Sequence, residues 1–186
     1  MSFSQGKSGL LMGPLVGRTA TFVMDGRDAN IRFARTLVES LAENGMTCFI
    51  LDLDALYSSN SDLIFVGPQE GNARHSIRVP PPGSDTEAEF SLLFAADHHA
   101  VVIDSLNSLY HLISEGNAST RGRKMSFALA SLSQLARENS KAVILSMYRR
   151  EGFSRSAKGR PISSLSDITA SVRIEGGGIE ISTERE

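Results

Sequence analysis

The sequence predicts an α/β fold: a mostly parallel sheet flanked by helices and finished by a C-terminal antiparallel hairpin. Three observations predict it. Apolar runs of strand length alternate with segments whose apolar residues recur at spacings of three and four. The strand runs are nearly continuous in apolar character, as expected of strands covered on both faces. Near the C-terminus the pattern changes to apolar–polar alternation around Gly176-Gly177-Gly178, which reads as a hairpin at the sheet edge.

The elements follow in order. Thr19 to Met24 (TATFVM) is a β-rich run ending at Asp25-Gly26. Ile31, Ala34, Leu37, Val38, Leu41 and Ala42 then mark one face of a helix, with Asp28 or Asn30 placed to cap its start and Gly45 to stop it. Met46 to Leu51 (MTCFIL) is the next strand, completing a βαβ unit. Leu63 to Val66 is a short strand candidate. Ile77 to Val79 is a brief one, closed by three prolines that cannot donate to a ladder. Ser84-x-x-Glu87 is a capping-box pattern before Phe90, Leu93 and Phe94, so a second helix is expected to run to about Asp97. Ala100 to Ile103 is a buried strand ending on Asp104-Ser105. Met125, Ala128, Leu129, Leu132, Leu135 and Ala136 mark a third helix, and Ala142 to Met147 another strand. Ile168 to Ile174 and Ile179 to Ser182 form the hairpin. The least structured stretches are Ser58 to Asp62, Gly67 to Ser76 and Glu151 to Ser166.

Composition limits the function. The chain has 186 residues, 41% of them hydrophobic, which suits one domain with a core that needs no disulfide or structural metal. Residues 1–18, with Gly6, Gly9, Gly13 and Gly17, read as a flexible leading segment, and residues 19–186 as the domain. The single Cys48 excludes an internal disulfide and gives no zinc spacing; it points to a reducing, cytoplasmic setting. No segment approaches the roughly 20 apolar residues needed to cross a bilayer, so no membrane partner is expected. A net charge of −2 does not advertise nucleic acid, and any such contact must come from local patches. His98 and His99 read as turn residues, His75 as a loop residue, and none has metal-ligand spacing.

The order of elements resembles that of the RecA/RadA/KaiC group of P-loop ATPases. Ala100-Val-Val-Ile-Asp-Ser-Leu-Asn-Ser-Leu-Tyr110 resembles their Walker B strand. Met46 to Asp54 resembles the strand that leads to the catalytic glutamate. Gly159-Arg160-Pro161-Ile162, followed by the strand at Ile168, resembles the end of the recombinase core.

The phosphate loop departs from that group. A working loop reads G-x-x-x-x-G-K-[ST]: backbone N–H groups cradle phosphates, and the lysine reaches the β/γ oxygens. Its place is taken here by Met24 to Arg32. The residues of this degenerate nucleotide site include Asp25, Gly26, Arg27, Asp28, Ala29 and Asn30: one glycine, no lysine, and two carboxylates where a polyphosphate would sit. Arg27 or Arg32 remains as a cation. Gly6-Lys7-Ser8 precedes the first strand and lacks the strand-to-helix context. By the same resemblance Asp54 stands nearest the catalytic glutamate, one methylene shorter, and Tyr148 stands at the sensor glutamine. Asp104 and Ser105 keep the Walker B ending. No catalytic residue, no metal and no cofactor are expected; residual ATP or Mg²⁺ at Asp104 is the alternative to a plain structural aspartate.

Two basic stretches carry the binding expectation. Arg121, Arg123 and Lys124 open the third helix. Arg149, Arg150, Arg155, Lys158 and Arg160 form a denser cluster, with Phe153 as an aromatic able to stack on a base. In the resemblance these correspond to the DNA-facing loops of recombinases; by themselves they are equally a solvated charged face. The resemblance therefore implies a non-hydrolysing RecA/RadA-like paralog, an accessory in DNA recombination or repair. Its partners would be single-stranded DNA, a RecA/RadA-type recombinase or a second copy of itself. The alternatives are a structural ring or assembly subunit of RecA fold, and a KaiC-like nucleotide-binding signalling protein.

Overall fold

The computed structural model describes residues 12–65, 75–81, 83–113, 118–148 and 166–183. Seven strands form one sheet: β1 (Thr19–Met24), β2 (Cys48–Asp52), β3 (His75–Arg78), β4 (Ala100–Asp104), β5 (Ala142–Tyr148), β6 (Ile168–Glu175) and β7 (Gly178–Thr183). Their order is β3-β2-β4-β5-β1-β6-β7, with parallel pairing throughout except between β6 and β7. The helices are α1 (Arg27–Glu43), α2 (Leu56–Ser59), α3 (Ser61–Ile64), α4 (Thr86–Ala95), α5 (Leu106–Leu112) and α6 (Ala118–Asn139).

The continuous apolar strands are explained by cover on both faces. Alternate side chains of each central strand enter different cores. Phe22, Ile50, Val102 and Ile144 face the α1 side, while Val23, Leu51, Val101, Ile103, Val143 and Leu145 face α5 and α6. On the α1 side Phe33 stacks on Phe22 with ring centroids 4.5 Å apart. The last two strands turn through Gly176 and Gly177, whose φ of 57° and 85° only glycine adopts at low cost.

Several expectations are corrected. The strand expected from Leu63 to Val66 does not begin at Leu63: Ser61–Ile64 is a helical turn that buries Ile64 against α1, and Val66 lies outside the described residues. Much of the stretch Ser58 to Asp62 is likewise helical rather than unstructured. Part of the segment expected to be flexible is structured: Gly13–Leu15 is a 3-10 turn, and Met12 and Leu15 are buried in the core. His75 opens β3 instead of lying in a loop. Neither Asp28 nor Asn30 caps α1; Gly26 occupies the cap with φ 116° and ψ 174°, without a side-chain cap bond, and both residues lie inside the helix. The helix α5, which follows directly on Asp104-Ser105, was not expected from the apolar pattern because it spans only seven residues.

Candidate functional site at the strand ends

The connection from β1 to β2 passes over β4 and β5, whereas β5 connects to β6 on the other side of β1. Such a reversal opens a crevice at the carboxyl ends of the strands, the usual ligand position in open α/β sheets. A cleft of about 530 Å³ lies there, lined among others by Gly26, Arg27, Asp54, Asn107, His111 and Tyr148.

Beneath it sits Asp104, at the end of β4, with no exposed surface. Its Oδ1 accepts a hydrogen bond from Asn30 Nδ2 at 2.9 Å and another from the Ser146 hydroxyl. Asn30 Nδ2 also donates to the Tyr148 hydroxyl at 2.8 Å, so one amide ties α1 to the ends of β4 and β5. Asp104 Oδ2 and Asn30 Oδ1 are buried without a hydrogen-bond partner. Burial pushes the Asp104 carboxyl up to about 6, helped by the charges of Asp54 and Asp52 and opposed by the bonds from Ser146 and Asn30. Burial likewise pushes the Tyr148 phenol up to about 12, with Asp104 and Asp54 adding to it and Asn30 opposing. The Asp104–Ser105 peptide is cis.

The neighbouring carboxylates are occupied. Asp52 accepts N–H bonds from Leu56, Tyr57 and Ser58 at 2.8, 3.3 and 2.8 Å and so starts α2. Asp54 is exposed, but its two oxygens accept from Ser105 Oγ at 2.6 Å and from the Ser108 hydroxyl. Ser105 in turn caps α5 by accepting from Ser108 N. Asn107 holds the end of β5: its Oδ1 accepts the Tyr148 N–H at 2.8 Å.

The turn between β1 and α1 is two residues long, Asp25 and Gly26. The sequence reading takes strand, turn and helix to be in place with the loop's residues exchanged. The turn is in fact too short for the run of about six residues that precedes the lysine in G-x-x-x-x-G-K. Asp28 is then a first-turn helix residue, Ala29 is buried, and Arg27 lines the cleft. Arg32 is used elsewhere, donating to the Gly177 carbonyl at the β6–β7 turn.

The structure therefore brings Gly26, Arg27, Asn30, Asp54, Asp104 and Ser105 together at one end of the sheet. Arg121, Arg123 and Lys124 lie on α6, with Arg121 placed over the Tyr110 ring at 5.9 Å from its centroid. Arg149, Arg150, Phe153, Arg155, Lys158 and Arg160 lie outside the described residues. Sequence reasoning missed Asn107, Ser108 and Ser146, and it gave Asn30 a capping role. The usable signal was a polar residue one turn before Phe33 and Ala34 on the face that α1 buries. At the opposite end of the sheet Cys48 is fully buried, with His75 Nδ1 3.1 Å from its sulfur, and burial pushes the thiol up to about 12. Among the described residues no cluster of three or more His, Cys, Asp or Glu could hold a metal ion. Among them, too, no helix is long and apolar enough to cross a membrane.

No protein-family model matches the chain, and no curated protein matches its sequence. Solved structures do match its fold. The crystal structure of the RadB recombinase superposes with a TM-score of 0.61 at 14% identity, covering 92% of this chain and 82% of that one. A KaiC-like protein from the hyperthermophilic archaeon Pyrococcus horikoshii OT3 superposes with a TM-score of 0.58 at 16% identity, covering 92% and 81%. Strand order, two-sided helical cover and the terminal hairpin are thus those of a RecA-like α/β domain.

Proposed function

We propose that the chain is a non-hydrolysing RecA/RadA-like paralog, an accessory in DNA recombination or repair that works by binding single-stranded DNA or a recombinase. The observation that carries the non-hydrolysing part is the sealing of Asp104. A magnesium-binding aspartate needs an oxygen open to the phosphate cleft. Here the carboxyl has no exposed surface, and an amide and a hydroxyl cover one of its oxygens. The residues around it do not fit a magnesium nucleotide either: a two-residue turn replaces the cradle, no lysine enters α1 at its start, and Asp54 is held by two serines.

The binding part is supported by α6, whose first turns carry Arg121, Arg123 and Lys124 and no acidic residue of their own. The fold likeness to a recombinase adds general support. Lys and Arg on such a surface follow a phosphodiester chain through charge, with affinity falling steeply as salt rises.

Two measurements test the reading. Calorimetry with ATP and Mg²⁺ should show no binding heat, and phosphate release should stay at the buffer rate; tight uptake or turnover overturns the non-hydrolysing reading. Fluorescence anisotropy with labelled oligo-dT at low salt should show binding that Arg123→Glu weakens. Oligo-dT that stays unbound at low salt sinks the DNA half.

A second reading, an assembly subunit, is favoured by Leu63, Ile77 and Val79. All three large apolar side chains are exposed, and Ile77 lies in the edge strand β3 with Val79 just after it. Light scattering that shows a ring-sized particle, with no DNA shift, selects it.

A further inference from the structure

Strand β3 holds the sheet edge on four residues, His75 to Arg78, and pairs with β2 alone among the described strands. None of its side chains is fully buried, and Ile77 is exposed. Burial of apolar area therefore contributes little to keeping it in place. Beyond the ladder to β2, three side-chain ties join it to neighbouring elements, and every one of them includes a titratable group.

The first tie runs to β2: His75 Nδ1 lies 3.1 Å from the Cys48 sulfur. The second runs to the approach to β4: Ser76 Oγ lies 3.1 Å from His98 Nε2. The third runs to α4: Arg78 donates to both oxygens of Glu89, from Nε at 3.0 Å and from Nη2 at 2.7 Å, and Glu89 is buried. The two kinds of tie stand at opposite ends of the strand. His75 and Ser76 pair with Cys48 and Phe49 at its start, and Arg78 pairs with Leu51 at its end. Three of the chain's four histidines stand at the first of these corners, because His99 Nδ1 accepts the Thr47 N–H beside Cys48 at 3.1 Å.

Acid acts on the two ends at different pH. His98 Nδ1 is buried without a hydrogen-bond partner, so a proton there would leave a charged N–H buried and unpaired. Burial lowers the His98 imidazole below its ordinary 6.5, with Lys141 and His99 adding to the effect and the Asp97 carboxylate opposing it. Burial lowers His75 in the same way, with His98 adding to it. The Cys48 thiol beside His75 stays protonated and offers no counter-charge. The closed corner therefore binds these protons less readily than an opened one does. Its stability is full above about 6.5 and falls as pH drops below that value. Glu89 behaves otherwise: the bonds from Arg78 hold its carboxyl below the ordinary 4.5, against burial, so its tie persists until the pH falls below 4.5.

We propose that β3 is an acid-operated latch: protonation of His75 and His98 frees its first two residues from β2 and from the approach to β4, while Arg78 keeps the other end tied to Glu89. The freed end bares the edge of β2 and the Cys48 thiol, both of which are covered at neutral pH. An unpaired strand edge is a template for pairing with another chain, so the latch decides when that edge is offered. It lies at the far end of the sheet from the strand-end cleft and stands whether or not that cleft takes a nucleotide. Asp104 shifts the stability of the whole domain the other way over part of the same pH range, so release has to be read at β3 itself.

The test is amide hydrogen exchange of the full chain, followed by NMR from about pH 7.5 to 4 and corrected for the intrinsic pH dependence of exchange. The reaction of Cys48 with 4,4′-dithiodipyridine, measured against glutathione at each pH, is the second readout. Protection at the His75 end should fall by about tenfold between pH 7.5 and 5, the change that uptake of one proton over one pH unit gives. Protection at Arg78 and across β4 and β5 should hold down to about pH 4.5. Cys48 should gain reactivity by a similar factor over the same range. The double variant His75→Gln/His98→Gln has no ring to protonate at either position and should lose the step above pH 4.5. Glu89→Gln should loosen the Arg78 end already at pH 7.5 and leave the step at the His75 end. A His75 end whose protection does not change with pH, or falls in step with β4 and β5, overturns the proposal. So does a step that persists in the double variant. If the double variant does not fold, His75→Gln and His98→Gln singly should each shrink the step, and an unchanged step in both overturns the proposal as well.

Discussion

Replacing Asp104 with Asn probes the buried carboxyl at the centre of the strand-end site. In the folded chain burial holds this carboxyl at about 6, against 3.8 for the ordinary side chain. The folded state therefore binds the proton more tightly than the unfolded chain does. Between those two values the folded state carries more protons, so stability falls as pH rises through the window. The contribution is fully present below about 3.8 and lost above about 6. A difference of about 2 units at 1.36 kcal/mol each amounts to about 3 kcal/mol, an order-of-magnitude figure. Asn cannot ionise, and its Oδ1 can still accept from Asn30 and Ser146. Its amide, placed where Oδ2 lacks a partner, costs about 1–3 kcal/mol as a buried unpaired donor. At pH 7.5 the two effects leave Asp104→Asn equal to wild type or up to about 2 kcal/mol more stable. Urea unfolding followed by circular dichroism, at a series of pH values from 4 to 8, measures this. The stability difference should swing towards the variant by about 3 kcal/mol as pH rises. A difference that does not change with pH refutes the reasoning. So does a variant that loses several kcal/mol at pH 7.5, because the ionised Asp104 would then be held by a partner that Asn cannot replace.

Two other expectations concern the same end of the sheet. Asn30→Ala removes a donor to Asp104 and to Tyr148 together, and should cost about 2–3 kcal/mol at neutral pH as the loss of a bond to a charged group. Because the Asn30 bond holds the Asp104 carboxyl down, the pH window seen for wild type should also move upward; a window that stays put removes Asn30 from the network. Gly26→Ala meets open space, so its whole effect comes from a φ of 116° that other residues avoid. It should cost about 1–3 kcal/mol by urea unfolding with an unchanged m-value, and no cost would mean that the turn relaxes elsewhere.

The fold could be read from the sequence because its signals are local. A strand covered on two faces must be apolar along its length, and the runs at Thr19, Met46, Ala100 and Ala142 are. A tight hairpin needs residues that adopt positive φ, and Gly176 and Gly177 supply them. That no lysine stands between Met24 and Arg32 is likewise visible in the letters. Short helices such as α2, α3 and α5 gave no clear sign, because four to seven residues are too few for a helical period to show.

The sequence by itself determined which residues carry charge and which runs enter the core, since both follow from side-chain chemistry and local spacing. Tertiary structure alone decided the site. Asn30 and Asp104 are 74 residues apart, and only the crossing of α1 over the sheet end makes their hydrogen bond. The state of Asp104 depends on that burial, because a carboxyl's charge is set by the solvent and donors around it and not by its neighbours in the chain. The same holds for Phe94, which reads as part of an apolar helix face in sequence and which packing leaves 43% exposed.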